Sequence, residues 1–241
     1  MGWGDDLMFL GAVQAQNKPI APTRKNKPKK VSLLWQGEPL ISQTHTTLLD
    51  EMLIAPDGKW QRPYAMGVDY APIPGKVKLT PEEITWAEEH KDFILLCPDA
   101  KPNAHHHNNK HWPWWQELAD ILHKDYNLLR VKSSDKQTDM QNVTNIMSPS
   151  IRHSYSIVKN ARCVITTDGF WHHSSAGHDT KCIVIYGGIT SPKHLGYPGQ
   201  LNIVSDEHGP CYTLHRDCDE CLAVMKSITA EQIADKLYSY L

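Results

Sequence analysis

The chain has 241 residues, of which 40% are hydrophobic and 22% are charged, and its formal net charge is −2. This composition is ordinary for a globular protein, and the small net charge excludes a general attraction to nucleic acid or to an anionic membrane. No apolar run approaches the roughly 18 residues that span a bilayer, and the N-terminus lacks the segments of a secretion signal, so we expect a cytoplasmic protein without a transmembrane segment.

Residues 1–90 predict few regular elements and are expected to form an N-terminal domain. Composition and periodicity indicate a helix over 2–16, a basic exposed loop over 17–30, a short strand at Val31–Leu34 and an irregular region over 35–80. The run Thr80-Pro81-Glu82-Glu83 predicts a helix start, because threonine caps the helix, proline suits its first position and glutamate completes a capping box. That helix is expected to run to about His90.

Residues 91–241 show strands that alternate with helices. The predicted strands are Phe93–Cys97, Leu128–Val131, Cys163–Thr166 and Cys182–Tyr186, and the predicted helices are Trp114–Lys124, Ser150–Asn160, His173–Gly177 and Thr229–Leu241. This alternation predicts an α/β domain with a doubly wound parallel sheet, which binds ligands at the carboxyl ends of its strands. The last helix could pack back on the N-terminal half.

The first candidate for chemistry is the run Gly2-Trp3-Gly4-Asp5-Asp6-Leu7. Two glycines permit a tight turn, and a carboxylate at a helix start gains from the helix dipole and the free amides. Taken alone, these residues favour a helix cap. A carboxylate presented at a cleft could instead act as a general base toward an acceptor hydroxyl.

A second candidate lies between Cys97 and the helix that begins near Trp114. Lys110 sits in a strand–loop–helix unit, where an ammonium group suits a diphosphate, although a solvated lysine is the favoured interpretation of these residues alone. The histidines at 105–107 are adjacent, and three adjacent side chains cannot all face one metal ion. We interpret them as loop residues, with His106 as a neighbour of a bound phosphate.

The strongest candidate is the segment 166–176, where a strand ends, a turn containing glycine follows, and a helix opens with small residues. Such a turn presents backbone amides, hydroxyls and an imidazole to an anion such as a diphosphate. Asp168 either accepts hydrogen bonds from sugar hydroxyls or caps the helix. One of His172 and His173 is alternatively an ordinary buried histidine.

Six cysteines in a chain of this length do not indicate a disulfide framework. Cys218 and Cys221 form a CxxC pair, and with Cys211 and His215 they could hold tetrahedral zinc. Because no second CxxC exists, structural zinc is unlikely, and structural thiols are the favoured interpretation. The basic run 24–30 is expected to be a solvated loop, or alternatively a contact for a phosphorylated acceptor or nucleic acid.

Read in order, these segments resemble glycosyltransferase family 9, the group that contains the ADP-heptose:lipopolysaccharide heptosyltransferases. The similar segments are Gly4–Leu7 (the family's GDxL), Lys110–Leu118 (its KxWP and WxEL), Asp168–Ala176 (its DxGxxH), Ile185–Pro198 (its FGxTxP) and the cysteine-containing tail from Cys211 to Ile233. The resemblance extends over about residues 92–240. The sequence starts directly at the GDxL-like turn, so we expect a short, divergent relative with an abbreviated N-terminal half.

The resemblance implies a GT-B-like fold with two Rossmann-like halves, transfer with inversion, and no required cofactor or catalytic metal. It implies that Asp5 is the general base, although the adjacent Asp6 is an alternative. The residues that it places around the donor are Lys110, Asp168, Gly169, His172, His173, Ser174, Gly187, Gly188 and Thr190.

The expected donor is a nucleotide-diphosphate sugar, with an ADP-sugar favoured. Thr167 occupies the position of the family's acid, one residue before Asp168, so heptose itself is not implied. The expected acceptor is a hydroxyl of a glycan or of the lipopolysaccharide core, and a modified DNA base is a less favoured one. A catalytically silent nucleotide- or sugar-binding module is the alternative to an enzyme.

Overall fold

The computed structural model describes residues 2–50, 53–54, 60–61, 70–99, 109–187, 190–205, 211 and 217–241. Its helices are α1 (Trp3–Gln16), α2 (Pro81–Glu88), α3 (Trp115–Leu122), α4 (Ile151–Ile157), α5 (Phe170–His178), α6 (Pro192–Leu195), α7 (Asp219–Ser227) and α8 (Ala230–Tyr240). Its strands are β1 (Ala21–Arg24), β2 (Lys27–Pro28), β3 (Leu48–Asp50), β4 (Leu53–Ile54), β5 (Trp60–Gln61), β6 (Phe93–Cys97), β7 (Leu128–Lys132), β8 (Thr144–Met147), β9 (Ala161–Thr167), β10 (Cys182–Tyr186) and β11 (Leu201–Val204).

The main sheet has six parallel strands in the order β11–β10–β9–β6–β7–β8. The first strand of this sheet in the chain, β6, lies beside the fourth, β9, at the centre. The strands β7 and β8 follow outward from β6, and β10 and β11 follow outward from β9. This is the strand order of a dinucleotide-binding sheet. The central pair is β6 and β9, with Ile94 opposite Cys163 and Cys97 opposite Thr166. The predicted parallel sheet is confirmed, and β8 and β11 at its two edges are additional strands that the sequence did not predict.

Helices cover both faces of this sheet, as the doubly wound prediction required. The strand residues on one face are Ile94, Leu96, Leu128, Cys163, Ile165, Ile183 and Ile185, and they pack with α3, α7 and α8. The strand residues on the other face are Phe93, Leu95, Cys97, Leu129, Val131, Val164, Cys182, Val184 and Tyr186, and they pack with α4, α6 and residues of α1 and α2. Burial on both faces explains why these strands read as continuous apolar runs.

The last helix belongs to the C-terminal half. The buried residues of α8 are Ala230, Ile233, Ala234 and Leu237, a spacing that forms one helical stripe. This stripe packs against α3 and joins the core that contains Leu118 and Leu122. Among the described residues, the apolar stripe of this helix is therefore covered by α3 of the C-terminal half.

The basic segment forms a hairpin where the sequence predicted a loop. β1 pairs with β2 in antiparallel fashion, with Arg24 opposite Lys27, and β1 also pairs with β3. The two residues between, Lys25 and Asn26, both have positive φ, at 52° and 59°. Positive φ at both positions is the geometry of a tight two-residue turn, which asparagine tolerates well.

The predicted strand at Val31–Leu34 is wrong. The Ser32 side chain accepts a hydrogen bond from the Leu34 N–H at 3.3 Å and caps a short 3-10 helix, Leu33–Trp35. Trp35 is buried, and its Nε1–H donates to the Asp6 carbonyl at 2.8 Å. An apolar run this short does not distinguish a strand from a helical turn.

The N-terminal helices pack directly on the C-terminal half. The capping box at α2 is as predicted, with Thr80 and Glu83 exchanging hydrogen bonds. Glu83 also forms a buried ion pair with Arg152 of α4 at 2.5 Å. In α1, Leu7 and Leu10 share a core with Tyr155 of α4. Within the described ranges, no helix has the length and apolarity that crossing a bilayer requires.

Candidate functional site

The candidate site lies where the two halves of the main sheet diverge. After β6 the chain crosses to β7 on one side, and after β9 it crosses to β10 on the other. The carboxyl ends of β6 and β9 therefore flank the crevice in which open α/β sheets bind ligands. Lys110 lies in the connection that follows β6, and Asp168 directly follows β9. The sheet order thus brings together two segments that the sequence identified separately.

Lys110, Asp168 and Thr190 form a polar group at this edge. The Lys110 ammonium lies 2.6 Å from Oδ2 of Asp168, and the Thr190 hydroxyl donates to the same oxygen at 2.7 Å. Burial alone would raise the pKa of Asp168, but Lys110 and Thr190 outweigh it and hold this pKa below its ordinary value. The side chain of Asp168 is only 2% exposed, whereas that of Lys110 is 24% exposed. The Lys110 ammonium is therefore held by a buried carboxylate, and its side chain stays partly exposed.

The N-terminus of α5 opens beside this group. Gly169 is the N-cap residue, and a Cβ placed there would meet no described atom within 4 Å. The first amides of a helix have no partner inside the helix, and they carry its positive dipole end. The turn therefore places the start of α5 beside the Lys110 ammonium, an arrangement that suits a phosphate or diphosphate.

The two histidines of α5 are buried parts of the turn. The Gly169 N–H donates to Nδ1 of His172 at 2.7 Å, so Nε2 of His172 carries the proton and donates to the Leu195 carbonyl at 3.2 Å. Nδ1 of His173 bonds the Tyr197 hydroxyl at 2.7 Å. Burial lowers the pKa of His172 to about 4 and that of His173 well below its ordinary value. Both rings are neutral near pH 7 and add no positive charge to the site.

The serine hydroxyls of α5 are used inside the helix. Ser174 donates to the Phe170 carbonyl at 2.8 Å, and Ser175 donates to the Trp171 carbonyl at the same distance. Both serines are fully buried. In this arrangement the Ser174 hydroxyl supports the helix, and the anion-binding groups that remain are the backbone amides and Lys110.

The first turn of α1 lies against the first turn of α5. A Cβ at Gly4 would lie 2.6 Å from Cδ2 of His173 and 3.4 Å from the carbonyl carbon of Gly169. Glycine at position 4 is what permits this approach, because any side chain would force the helices apart. The approach places the turn of α1 that carries Asp5 beside the start of α5.

The two neighbouring aspartates have different surroundings. Asp5 is partly exposed, and its carboxylate accepts the Gly2 N–H at 3.1 Å, which is a capping contact. Asp6 is buried, and its carboxylate accepts from the Lys29 ammonium at 2.7 Å and from the Ser32 hydroxyl at 2.8 Å. Asp6 therefore anchors the basic hairpin to α1, while Asp5 caps α1 and stays partly exposed.

The segment after β10 contributes packing. A Cβ at Gly187 would lie 2.1 Å from Sδ of Met225 in α7 and 3.3 Å from the Asn109 carbonyl oxygen. The absence of a side chain at Gly187 therefore permits α7 to pack closely against the residues next to Lys110. His106, Gly188 and His215 lie outside the described residues.

Sequence reasoning missed residues that support the turn. The Tyr197 hydroxyl holds His173, and the Gln200 side chain donates to the His172 carbonyl at 2.7 Å. The Tyr186 hydroxyl at the end of β10 is buried and has no hydrogen-bond partner in the described part of the chain. The approach of these residues depends on tertiary contacts, and no local pattern signals it.

A cavity of about 590 Å³ lies elsewhere, at the amino ends of β6 and β7, where His90 and His123 contribute to its lining. This is the opposite edge of the sheet from Lys110. Ligands in doubly wound sheets bind at the carboxyl ends, so the cavity is not our candidate for the donor site.

No protein-family profile and no curated protein sequence matches the chain, but solved structures do. TibC, described as a dodecameric iron-containing heptosyltransferase in complex with ADP-D-beta-D-heptose, superposes with a TM-score of 0.58 at 10% identity over 84% of this chain and 63% of that one. A glycosyltransferase family 9 protein from Veillonella parvula gives a TM-score of 0.53 at 12% identity over 73% of this chain and 56% of that one.

ADP-heptose lps heptosyltransferase II from E. coli gives a TM-score of 0.50 at 14% identity, over 68% of this chain and 53% of that one. The chain spans roughly half to two thirds of the length of these structures. At such low identity, the likeness shows that the chain has the fold of these GT-B-like glycosyltransferases. It agrees with the fold expected from the resemblance to family 9.

Proposed function

We propose that this chain catalyses transfer of a sugar from a nucleotide-diphosphate donor to a hydroxyl acceptor. The supporting observation is one juxtaposition: Lys110 lies beside the N-terminus of α5, a pairing that suits an anion, and the first turn of α1, which carries Asp5, packs against that N-terminus. A leaving diphosphate and an incoming hydroxyl need these two kinds of group on neighbouring surfaces.

In the proposed reaction, the Asp5 carboxylate takes the proton of the acceptor hydroxyl. The acceptor oxygen forms a bond to the anomeric carbon while the bond from that carbon to the diphosphate oxygen breaks, and the electron pair leaves with the diphosphate. Attack opposite the leaving group inverts the anomeric centre. Lys110 and the first amides of α5 stabilise the charge that develops on the diphosphate, without a catalytic metal.

Asp168 acts as a positioning residue in this proposal. Its buried carboxylate, held by Thr190, fixes the Lys110 ammonium at the mouth of the site. The structure also favours Asp5 over Asp6 as the base, because the Asp6 carboxylate is buried and engaged by Lys29 and Ser32.

The proposed donor is an ADP-sugar, which is the class of ligand named for TibC. The proposed acceptor is a glycan such as a lipopolysaccharide core, with a modified DNA base as the less favoured acceptor. The basic hairpin supports an anionic acceptor, because the exposed residues Lys25 and Lys27 belong to the segment that Lys29 ties to Asp6.

Substitution of Asp5 tests the proposal. We expect Asp5→Asn to lower sugar transfer at least about a hundredfold, the contribution typical of a general base, while ADP still raises the melting temperature. Asp6→Asn is the matched control, and we expect it to lower stability more than it lowers transfer per folded molecule. If no variant and no wild-type sample transfers sugar from any nucleotide sugar although ADP binds, the chain is a binding module. The capping contact between Asp5 and Gly2 is the observation that favours this second function.

A further inference from the structure

Three cysteine sulfurs meet at the start of α7. The sulfur atoms of Cys211, Cys218 and Cys221 all lie within 4.8 Å of one another, and those of Cys211 and Cys221 are 2.9 Å apart. Cys221 is buried and the other two are partly exposed. The remaining cysteines of the chain lie buried on separate strands of the main sheet.

Three converging thiols match the ligand set of a soft cation better than that of a disulfide. A disulfide joins two sulfurs about 2.05 Å apart and leaves the third without a role. In a tetrahedral site with metal–sulfur bonds of about 2.3 Å, the sulfurs lie roughly 3.8 Å apart, a spacing between the 2.9 Å and 4.8 Å found here. Small shifts of three side chains on one short segment would complete such geometry.

We propose that Cys211, Cys218 and Cys221 bind one thiophilic divalent cation, either zinc or ferrous iron. Sulfur-rich tetrahedral sites select these metals over calcium and magnesium, which prefer oxygen ligands. A fourth ligand from outside these three cysteines completes the coordination. The proposed reaction uses no metal, so this cation would have a structural role.

The cation would hold α7 against the donor turn. The Cys218 N–H donates to Oδ1 of Asn109 at 2.9 Å, and Asn109 directly precedes Lys110. Further along α7, Met225 packs against Gly187 at the end of β10. Binding at the three cysteines therefore fixes the first turn of α7, and through Asn109 it steadies the backbone that carries Lys110.

The metal content of the purified full chain tests the site. We expect elemental analysis to find about one equivalent of zinc or iron per chain, as for a structural site of this kind. A chain stripped by a chelator and kept reduced should take up Zn²⁺ or Fe²⁺ added alone, and the comparison of the two identifies the metal. Co²⁺ in their place should give the thiolate-to-cobalt charge-transfer absorption.

Cysteine variants connect the metal to these residues. Cys218→Ser and Cys221→Ser should lose the bound metal, whereas Cys97→Ala, which removes a buried thiol from β6, should keep it. Circular dichroism establishes whether each variant is folded. The Co²⁺ spectrum of the wild-type chain needs no variant, so it tests the site even if a variant fails to fold. Absence of metal after purification together with no uptake by the reduced chain overturns the proposal. A disulfide between Cys211 and Cys221 in the native chain overturns it as well.

The effect on the donor turn is measured separately and rests on the proposed function. Removal of the metal should weaken ADP binding, because Asn109 loses a fixed partner. If the metal is present but ADP never binds, the metal site stands and the transferase proposal fails. If ADP binds equally well with and without metal, the proposed coupling to Lys110 is wrong.

Discussion

Two buried ion pairs in this chain differ in the access that water has to them. Between α4 and α2, the side chains of Arg152 and Glu83 are 6% and 7% exposed. Beside the start of α5, the side chain of Asp168 is 2% exposed, but that of its partner Lys110 is 24% exposed. We call Arg152 and Glu83 the closed pair, because both side chains are buried, and Lys110 and Asp168 the open pair, because Lys110 is partly exposed.

The closed pair uses its donors to join elements of the fold. Besides Glu83, the Arg152 guanidinium donates to the carbonyls of Leu33 and Lys78, which belong to segments that precede the main sheet. At the open pair, the Lys110 ammonium bonds the carboxylate and the carbonyl of Asp168 beside the start of α5, and the lysine side chain stays partly exposed. A buried carboxylate can therefore join elements of the fold, or it can position a cation that a ligand would contact. The exposed fraction of the cationic partner distinguishes these two roles.

The largest expected effect is on stability, at the closed pair. Arg152→Ala should lower the free energy of unfolding by about 3–5 kcal/mol, because it leaves the buried Glu83 carboxylate without its partner. Urea unfolding measures this. The matched control is Arg162→Ala, since Arg162 is 45% exposed and lies 3.7 Å from Asp92, and exposed pairs contribute about 1 kcal/mol or less. Equal losses in the two variants would contradict the distinction between closed and exposed pairs.

The next effect is on binding, at the open pair. Lys110→Met should weaken ADP binding by about 10- to 150-fold, the range for loss of a charge-assisted hydrogen bond. Isothermal titration calorimetry with ADP measures the affinity. Lys193→Met, which changes an exposed lysine of α6, is the control and should bind ADP as the wild type does. Wild-type affinity in Lys110→Met would remove Lys110 from the donor site.

A pH dependence of stability is expected from the buried imidazoles of α5. Burial lowers the pKa of both His172 and His178 to about 4, from an ordinary 6.5. The unfolded chain therefore binds these protons more readily, and the free energy of unfolding should fall as pH drops from about 6.5 to 4, by up to about 1.4 kcal/mol per pH unit for each imidazole. Urea unfolding of wild type and of His172→Gln across this range measures it, with a shallower slope expected in the variant.

The carboxylates of the two pairs act in a lower pH range. Burial would raise the pKa of Glu83 and of Asp168, but their cationic partners hold both values below the ordinary 4.5 and 3.8. Their stabilising contributions are present above these ordinary values and are lost as pH falls below them. For the histidines, a free energy of unfolding that stayed constant from pH 6.5 to 4 would contradict the burial of the His172 and His178 imidazoles.

Much of the main sheet could be predicted from the sequence. The runs Phe93–Cys97 and Cys182–Tyr186 are strands with the predicted bounds, because strands buried on both faces require continuous apolar residues. The α2 start was equally predictable, since a capping box is a local exchange of hydrogen bonds. The edge strands β8 and β11 were missed because each has only four residues, too few for a clear periodic pattern.

The sequence by itself determined the order of elements, the parallel sheet and the segments that carry Lys110 and Asp168. Only the tertiary structure decided that these two residues pair, because β6 and β9 are neighbours in space while 58 positions separate the two side chains in the chain. It also decided that Asp6 is buried while Asp5 is partly exposed, since Lys29 and Ser32 cover Asp6 from a segment more than twenty residues away. Local chemistry fixes caps and strands, whereas burial and pairing depend on which distant segments the fold places in contact.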